Sequence, residues 1–161
     1  MMHSRNSQPV VIVVDDEEMV IMSVRAFLNL ETEYMVHGFT SPEEAAGFLE
    51  AHPVDVVVSD YLMPKMNGLQ LLAKAKLLQP EAARVLLTGH ADKQSAIQAI
   101  NEVGLYQYLE KPWDNAQLLL VLQSAIERTH LFRSLQDKIS ELDTAHSSLK
   151  DVQSRLVRAF L

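Results

Sequence analysis

Short unbroken apolar runs alternate along the chain with stretches of helical periodicity, and the alternation repeats five times. Val10 to Val14 (VVIVV) is the first run, ending abruptly in Asp15, Asp16, Glu17 and Glu18. A run of this kind reads as a strand buried on both faces. Met19 to Leu30 carries apolar residues at helical spacing, and YMVHGF (34 to 39) reads as a second strand. A helix start follows at Ser41-Pro42-Glu43-Glu44, where Ser41 can cap, Pro42 suits the first turn and Glu44 completes a capping box. Asp55 to Ser59 is the third strand, running into Asp60. The loop YLMPKMNG leads to a helix from about Leu69 to Leu78, closed by Pro80. Val85 to Thr88, Lys93 to Asn101 and Tyr106 to Leu109 supply strand, helix and strand, and a fifth helix starts at Asp114 with Gln117 as its capping partner. Parallel strands need crossovers, so five strand-then-helix units predict a doubly wound α/β domain, a five-stranded parallel sheet with helices on both faces, over residues 9–128.

The fifth helix has no stop signal. Neither Gly nor Pro occurs from Asn115 to Leu161, although such residues normally end helices. From Phe132 the spacing settles into heptads, with Phe132, Ile139, His146, Gln153 and Phe160 at a and Leu135, Leu142, Leu149 and Leu156 at d. This predicts a long C-terminal coiled-coil helix over 129–161 and a homodimer through it, the a-position His146 and Gln153 being its polar layers. The alternative is a helix folded back on its own domain. At the other end, residues 1–8 are polar and patternless and read as a disordered tail.

The 161 residues fit one domain plus an appendage, and 48% hydrophobic content is enough to bury a core. Lys and Arg number 14 against 21 Asp and Glu, for a net charge of −7. Residues 1–128 hold 9 basic and 17 acidic side chains. Neutralising a phosphate backbone needs clustered cations, so direct nucleic-acid binding is not expected. With no cysteine there is no disulfide or thiolate metal site. MMHSRNSQPV lacks the apolar run of a signal peptide, and no stretch is long enough to span a membrane. A cytoplasmic protein is expected.

In a doubly wound sheet the residues just past the strand carboxyl ends converge on one rim, where ligands bind. Here they are Asp15 and Asp16, Asp60, Thr88 and Lys111, from strands one, three, four and five. Three unpaired carboxylates repel one another and would have raised pKa values, so the group asks for a hard divalent cation, Mg²⁺ being the natural one. Taken singly, each residue has an ordinary explanation. An acidic helix start is favoured by the helix dipole, Asp60 could cap, Thr88-Gly89 could be a turn, and Lys111-Pro112 a loop. Their joint appearance in strand order carries the functional reading. His3, His37 and His52 lie away from this rim, Trp113 reads as a packing or interface residue, and Met63 and Met66 as space fillers beside Asp60. Met63-Pro64 and Asn67-Gly68 read as turns shaping that loop.

VVDDE, VSDYLMPKMNG, LLTGHAD and YQYLEKPW, in this order, resemble the motif regions of the receiver domain of two-component response regulators, over about residues 9 to 128. The resemblance implies a flavodoxin-like (βα)5 fold and a phosphorylation-dependent switch. It implies that Asp60 accepts a phosphoryl group from a histidine kinase, phosphotransfer protein or small phosphodonor. It further implies that Asp16 and Asp60 ligate Mg²⁺ with the Leu62 backbone carbonyl, and that Asp15 acts mainly through metal-bound water. Thr88 and Lys111 would hold phosphoryl oxygens, and Tyr108 would be the switch aromatic. Leu62 and His90, two residues beyond Asp60 and Thr88, would flank the hydrolytic water. Such a chain catalyses only its own phosphorylation and dephosphorylation. The phrasing also resembles receivers that precede larger signalling outputs such as HD-GYP phosphodiesterases, and an uncapped end at Leu161 leaves room for an output beyond it. The competing reading is a Mg²⁺-dependent phosphohydrolase using the same rim on external substrates. That reading would need a substrate cleft and a separate general acid, and the sequence has no Asp-x-Asp nucleophile arrangement or His-Asp pair to supply them.

Overall fold

A computed structural model describes residues 8–160, apart from the side chains of His90, Ala99, Ile100 and Phe160. The expected tail lies almost wholly outside the described residues. Five parallel strands, β1 (Val10–Val14), β2 (Met35–Phe39), β3 (Val56–Asp60), β4 (Ala83–Thr88) and β5 (Gln107–Glu110), form one sheet in the order β2-β1-β3-β4-β5. The helices are α1 (Glu18–Glu31), α2 (Pro42–Ala51), α3 (Gly68–Leu78), α4 (Lys93–Val103) and α5 (Asn115–Phe160), with a single 3₁₀ turn at His90–Asp92.

The unbroken valine runs are central strands because both their faces are covered. Val11 and Val13 pack with Val56, Val58, Val85 and Leu87 beneath α1 and the first turns of α5, through Ile21, Val24, Leu28, Leu118 and Leu122. Their alternate neighbours Ile12 and Val14 pack with Val57 and Leu86 on the opposite face, under α2, α3 and α4, through Ala45, Leu49, Leu71, Leu72 and Ala96. The period of two along each strand thus assigns the layers. Register is continuous across the centre, with Val11 opposite Val56 and Val57 opposite Arg84.

β4 begins two residues before the apolar run. Arg84 interrupts the hydrophobic pattern, yet it sits in the ladder while its guanidinium donates to the carbonyls of Pro80, Ala82 and Gly104. These bonds tie the start of β4 to Gly104, the left-handed C-cap of α4 at φ 69°.

The helix starts differ in detail from expectation. Ser41 accepts from the Glu44 N–H at 3.3 Å, but its hydroxyl donates to Glu43 at 2.9 Å, so Glu43 is the acidic partner. Asn67-Gly68 is not a turn: Asn67 caps α3 in a reciprocal box with Gln70, both bonds 2.9 Å, and Gly68 is the first helical residue. The Asp114 carboxylate accepts from the Ala116 N–H at 3.0 Å at the start of α5.

The chain divides into two compact units, Met1–Thr129 and His130–Leu161. The second is helical through its described residues and keeps its apolar side chains exposed, among them Phe132, Leu135, Ile139, Leu142, Leu149 and Leu156. Among the described residues no helix is long and apolar enough to cross a membrane.

Candidate functional site

In the strand order β2-β1-β3-β4-β5 the chain reverses direction of travel between β1 and β3. Loops leaving these two strands diverge, opening a crevice at their carboxyl ends. Asp15 and Asp16 follow β1 there, and Asp60 is the last residue of β3. The backbone at this rim is pinned: the Asp15 N–H donates to Phe39 O at 3.1 Å, Tyr61 N–H to Leu87 O at 3.0 Å and Lys111 N–H to Thr88 O at 2.7 Å.

Carboxylate oxygens of Asp15, Asp16 and Asp60 lie within 4.8 Å of one another. Asp15 and Asp60 are buried and Asp16 is exposed. Lys111 reaches in from the end of β5, with Nζ 3.0 Å from Asp60 Oδ1 and 3.3 Å from Asp15 Oδ2. Asp15 Oδ1 also accepts the Glu17 N–H at 2.9 Å, and Asp60 Oδ1 accepts the Tyr61 N–H at 3.0 Å.

Burial is the main force pushing the Asp60 carboxyl above the usual range. The hydrogen bond and charge of Lys111 pull it back without cancelling the shift, and Asp16 adds to it. Asp15 is likewise raised by burial, opposed first by the Glu17 N–H. For Lys111 burial works downward, but the Asp60 hydrogen bond and the two carboxylate charges outweigh it and hold the ammonium up. Three carboxylates thus face a single ammonium. The cluster's all-oxygen donor set, spaced within one ion's reach, fits a hard divalent cation such as Mg²⁺.

Thr88, the last residue of β4, is fully buried, with its hydroxyl donating to Leu109 O at 3.5 Å. Tyr108 on β5 is half-buried and packs against the layer under α2, α3 and α4. Leu62 is 61% exposed in the loop after Asp60, whereas Met63 is buried in that same layer. The His90 side chain lies outside the described residues. His37 and Phe48 meet as tilted rings 4.8 Å apart between centroids, as do Phe48 and His52 at 4.5 Å, and Trp113 packs on the α1 and α5 layer.

Residue reasoning missed Gly68. A Cβ there would collide with the Asp60 carbonyl oxygen and stand 3.0 Å from Leu86 Cδ1. Only glycine lets α3 start against the backbone of Asp60, and the signal was Gly68 directly after a capping Asn67. Lys65 in the same loop has a left-handed φ of 71°, a conformation without a local sequence mark.

The sequence model of the family described as response regulator receiver domain matches residues 11–123. The hydrogenase transcriptional regulatory protein HoxA of Cupriavidus necator is 31% identical over 150 residues, covering 93% of this chain and 31% of that protein. The transcriptional regulatory protein FixJ of Bradyrhizobium diazoefficiens is 33% identical over 119 residues, covering 72% of this chain and 56% of that one. The crystal structure of the signal receiver domain of an HD domain-containing protein from Pseudomonas fluorescens matches with a TM-score of 0.72 at 35% identity, over 77% of this chain and 98% of that one. The chain spans about a third of the length of curated relatives such as HoxA. Nothing in these matches supports a phosphohydrolase acting on external substrates.

Proposed function

Because the chain belongs to the response regulator receiver domain family, we propose that Asp60 is the phosphoacceptor of this two-component switch, taking the group from a histidine kinase or phosphotransfer protein. The observation that carries the assignment is the convergence of Asp15, Asp16, Asp60 and Lys111 at the β1 and β3 strand ends. Both described hydrogen-bond and ion-pair contacts of Asp60 fall on Oδ1, which leaves Oδ2 as the nucleophile. Oδ2 attacks the phosphorus of a phosphohistidine in line. The O–P bond forms as the N–P bond breaks, and the electron pair returns to the imidazole nitrogen. Lys111 stabilises the equatorial oxygens of the transferring group, so catalysis is chiefly positioning and electrostatics.

Asp16, Asp60 and the Leu62 backbone carbonyl would hold Mg²⁺, which when bound neutralises the carboxylates and the incoming phosphoryl charge. Both Asp15 oxygens are already engaged, by Glu17 N–H and Lys111, which favours an indirect role for it through metal-bound water. Thr88 and Lys111 then hold phosphoryl oxygens. Turning the Thr88 hydroxyl toward the new group vacates space into which Tyr108 rotates, a choice between two packings.

Acetyl phosphate with Mg²⁺ should add one phosphoryl group, read by intact mass. Asp60→Asn should abolish it, and undiminished labelling of that variant would overturn the assignment.

The switch is read as cytoplasmic. Its output is read as a larger signalling domain, the HD type being favoured by the 35% match to a receiver from such a protein. The exposed apolar stripe of the His130–Leu161 unit is read as the contact with a second copy of the chain, through which the signal passes on.

A further inference from the structure

The second unit presents Ile139, Leu142, Leu149 and Leu156 between 51% and 68% exposed along one helical stripe. With the flanking apolar residues of the same unit, at roughly 100 Å² of exposed side chain each, the stripe offers on the order of 800 Å² per chain, about what a standard interface needs from each partner. Two polar side chains interrupt it at the same heptad position, His146 and Gln153. We infer that these two layers make the pairing of two copies parallel and in register. The inference rests on the second-copy reading above.

The argument turns on what each polar group meets. In a parallel, in-register pair every a position faces its own copy, so His146 meets His146 and Gln153 meets Gln153. Each imidazole or amide then has a donor or acceptor opposite. Antiparallel pairing sets a against d. The alignment that overlaps the two stripes fully puts His146 on Leu142 and Gln153 on Leu135, and four polar groups lose their partners. A parallel pair slipped by one heptad sets Gln153 against His146 but leaves the other His146 on Ile139. Only the in-register parallel pair satisfies both layers.

Charge does not make this choice. Lys138 at g faces Asp143 at e of a parallel partner, but an antiparallel partner would bring Asp143 near Lys150. The polar layers act by penalising the alternatives, at some cost in tightness. The two helices of the pair consequently run in the same direction.

The absence of native cysteine makes the test direct. Phe132→Cys and Leu156→Cys single variants of the full chain are mixed, one carrying a tag, under mild oxidation. Expected are 132–132 and 156–156 disulfides exceeding 132–156 by about tenfold or more. A dominant 132–156 disulfide in a chain that sediments as a dimer would overturn the register inference while leaving the dimer standing. A monomer at tens of micromolar, with no cross-link, would instead overturn the second-copy reading. Adding His146→Leu and Gln153→Leu together should tighten association and raise the share of 132–156 disulfide several-fold. An unchanged share would remove the polar layers as the determinant.

Discussion

Replacing Asp60 by Asn should stabilise the domain when no divalent cation is present, although it removes a partly buried ion pair. In the folded state the Asp60 carboxylate has oxygens of Asp15 and Asp16 within 4.8 Å. At an effective dielectric near 20, each such pair costs about 3.5 kcal/mol. The Asp16 share is smaller, because Asp16 is exposed and screened. Lys111 at 3.0 Å returns about 5.5 kcal/mol on the same scale. The Coulomb contributions nearly cancel, and burial, the largest influence on Asp60, tips the balance against the charged form. An amide of the same shape keeps an acceptor for Lys111 and the Tyr61 N–H while shedding the charge. The expected gain is about 1–2 kcal/mol, or roughly 3–8 °C in Tm for a unit of this size.

The pH dependence has a definite sign. A carboxyl whose folded pKa is raised lets the native state bind more protons than the unfolded one, so stability falls as pH rises from the ordinary value of 3.8 through the folded value. The gap between variant and wild type should therefore be widest above that window and close as pH falls through it. Mg²⁺ should reverse the order, since a ligand at a hundred times its Kd stabilises the protein that binds it by about 2.7 kcal/mol. The assay is thermal unfolding at pH 7.5 with EDTA and again with excess Mg²⁺. If Asp60→Asn melts at or below wild type in EDTA, the electrostatic account of the site is wrong.

Two other perturbations test the loop beside Asp60. Leu62 is exposed at the rim and cannot orient water, so Leu62→Asn should shorten the lifetime of the phosphorylated protein, read as phosphate release; equal or slower decay would refute that role. Gly68→Ala should cost about 3 kcal/mol, near the upper end for overpacking, because the new Cβ meets the Asp60 carbonyl and backbone cannot yield as a side-chain tip can. Chemical denaturation measures it, and a neutral effect, as expected for an ordinary first-turn glycine, would show that the close approach is not rigid.

Chain pattern alone places most of the fold. Val10 to Val14 and Val56 to Val58 announce central strands because nothing polar breaks them, and the five residues of the candidate site are legible because topology sends strand ends to one rim. What escapes notice depends on approach in space. Arg84 hides the start of β4, since its charge is satisfied by carbonyls of Pro80, Ala82 and Gly104 that no local pattern brings together. The pairing of Lys111 with Asp15 spans 96 positions. Gly68 looks like half of a turn with Asn67 until the Asp60 carbonyl is seen against it. The Ser41 hydroxyl donates to Glu43 while accepting the Glu44 N–H, a division between two adjacent acidic residues that spacing alone does not decide.

The same geometry constrains how a phosphoryl group at Asp60 would be sensed. The rim backbone is closed by hydrogen bonds of 2.7 to 3.1 Å between β1 and β2, β3 and β4, and β4 and β5, and shifting any of those strand ends would break bonds in the sheet. Lys111 is similarly committed to two carboxylates. The Thr88 hydroxyl is the exception: its one described bond, donated to Leu109 O, is 3.5 Å long, at the outer limit for a hydroxyl. Exchanging it for a charge-assisted bond to a phosphoryl oxygen is favourable at almost no cost. Thr88 is also fully buried, so a hydroxyl that leaves its place opens a void in a close-packed interior. Tyr108 stands two strand positions from the end of β5, half-buried against the layer under α2, α3 and α4, and in the proposed switch it refills that void. In the proposed switch the sheet therefore stays fixed, and the conformational change is carried by side chains on β4 and β5, the strands farthest from the β1 carboxylates.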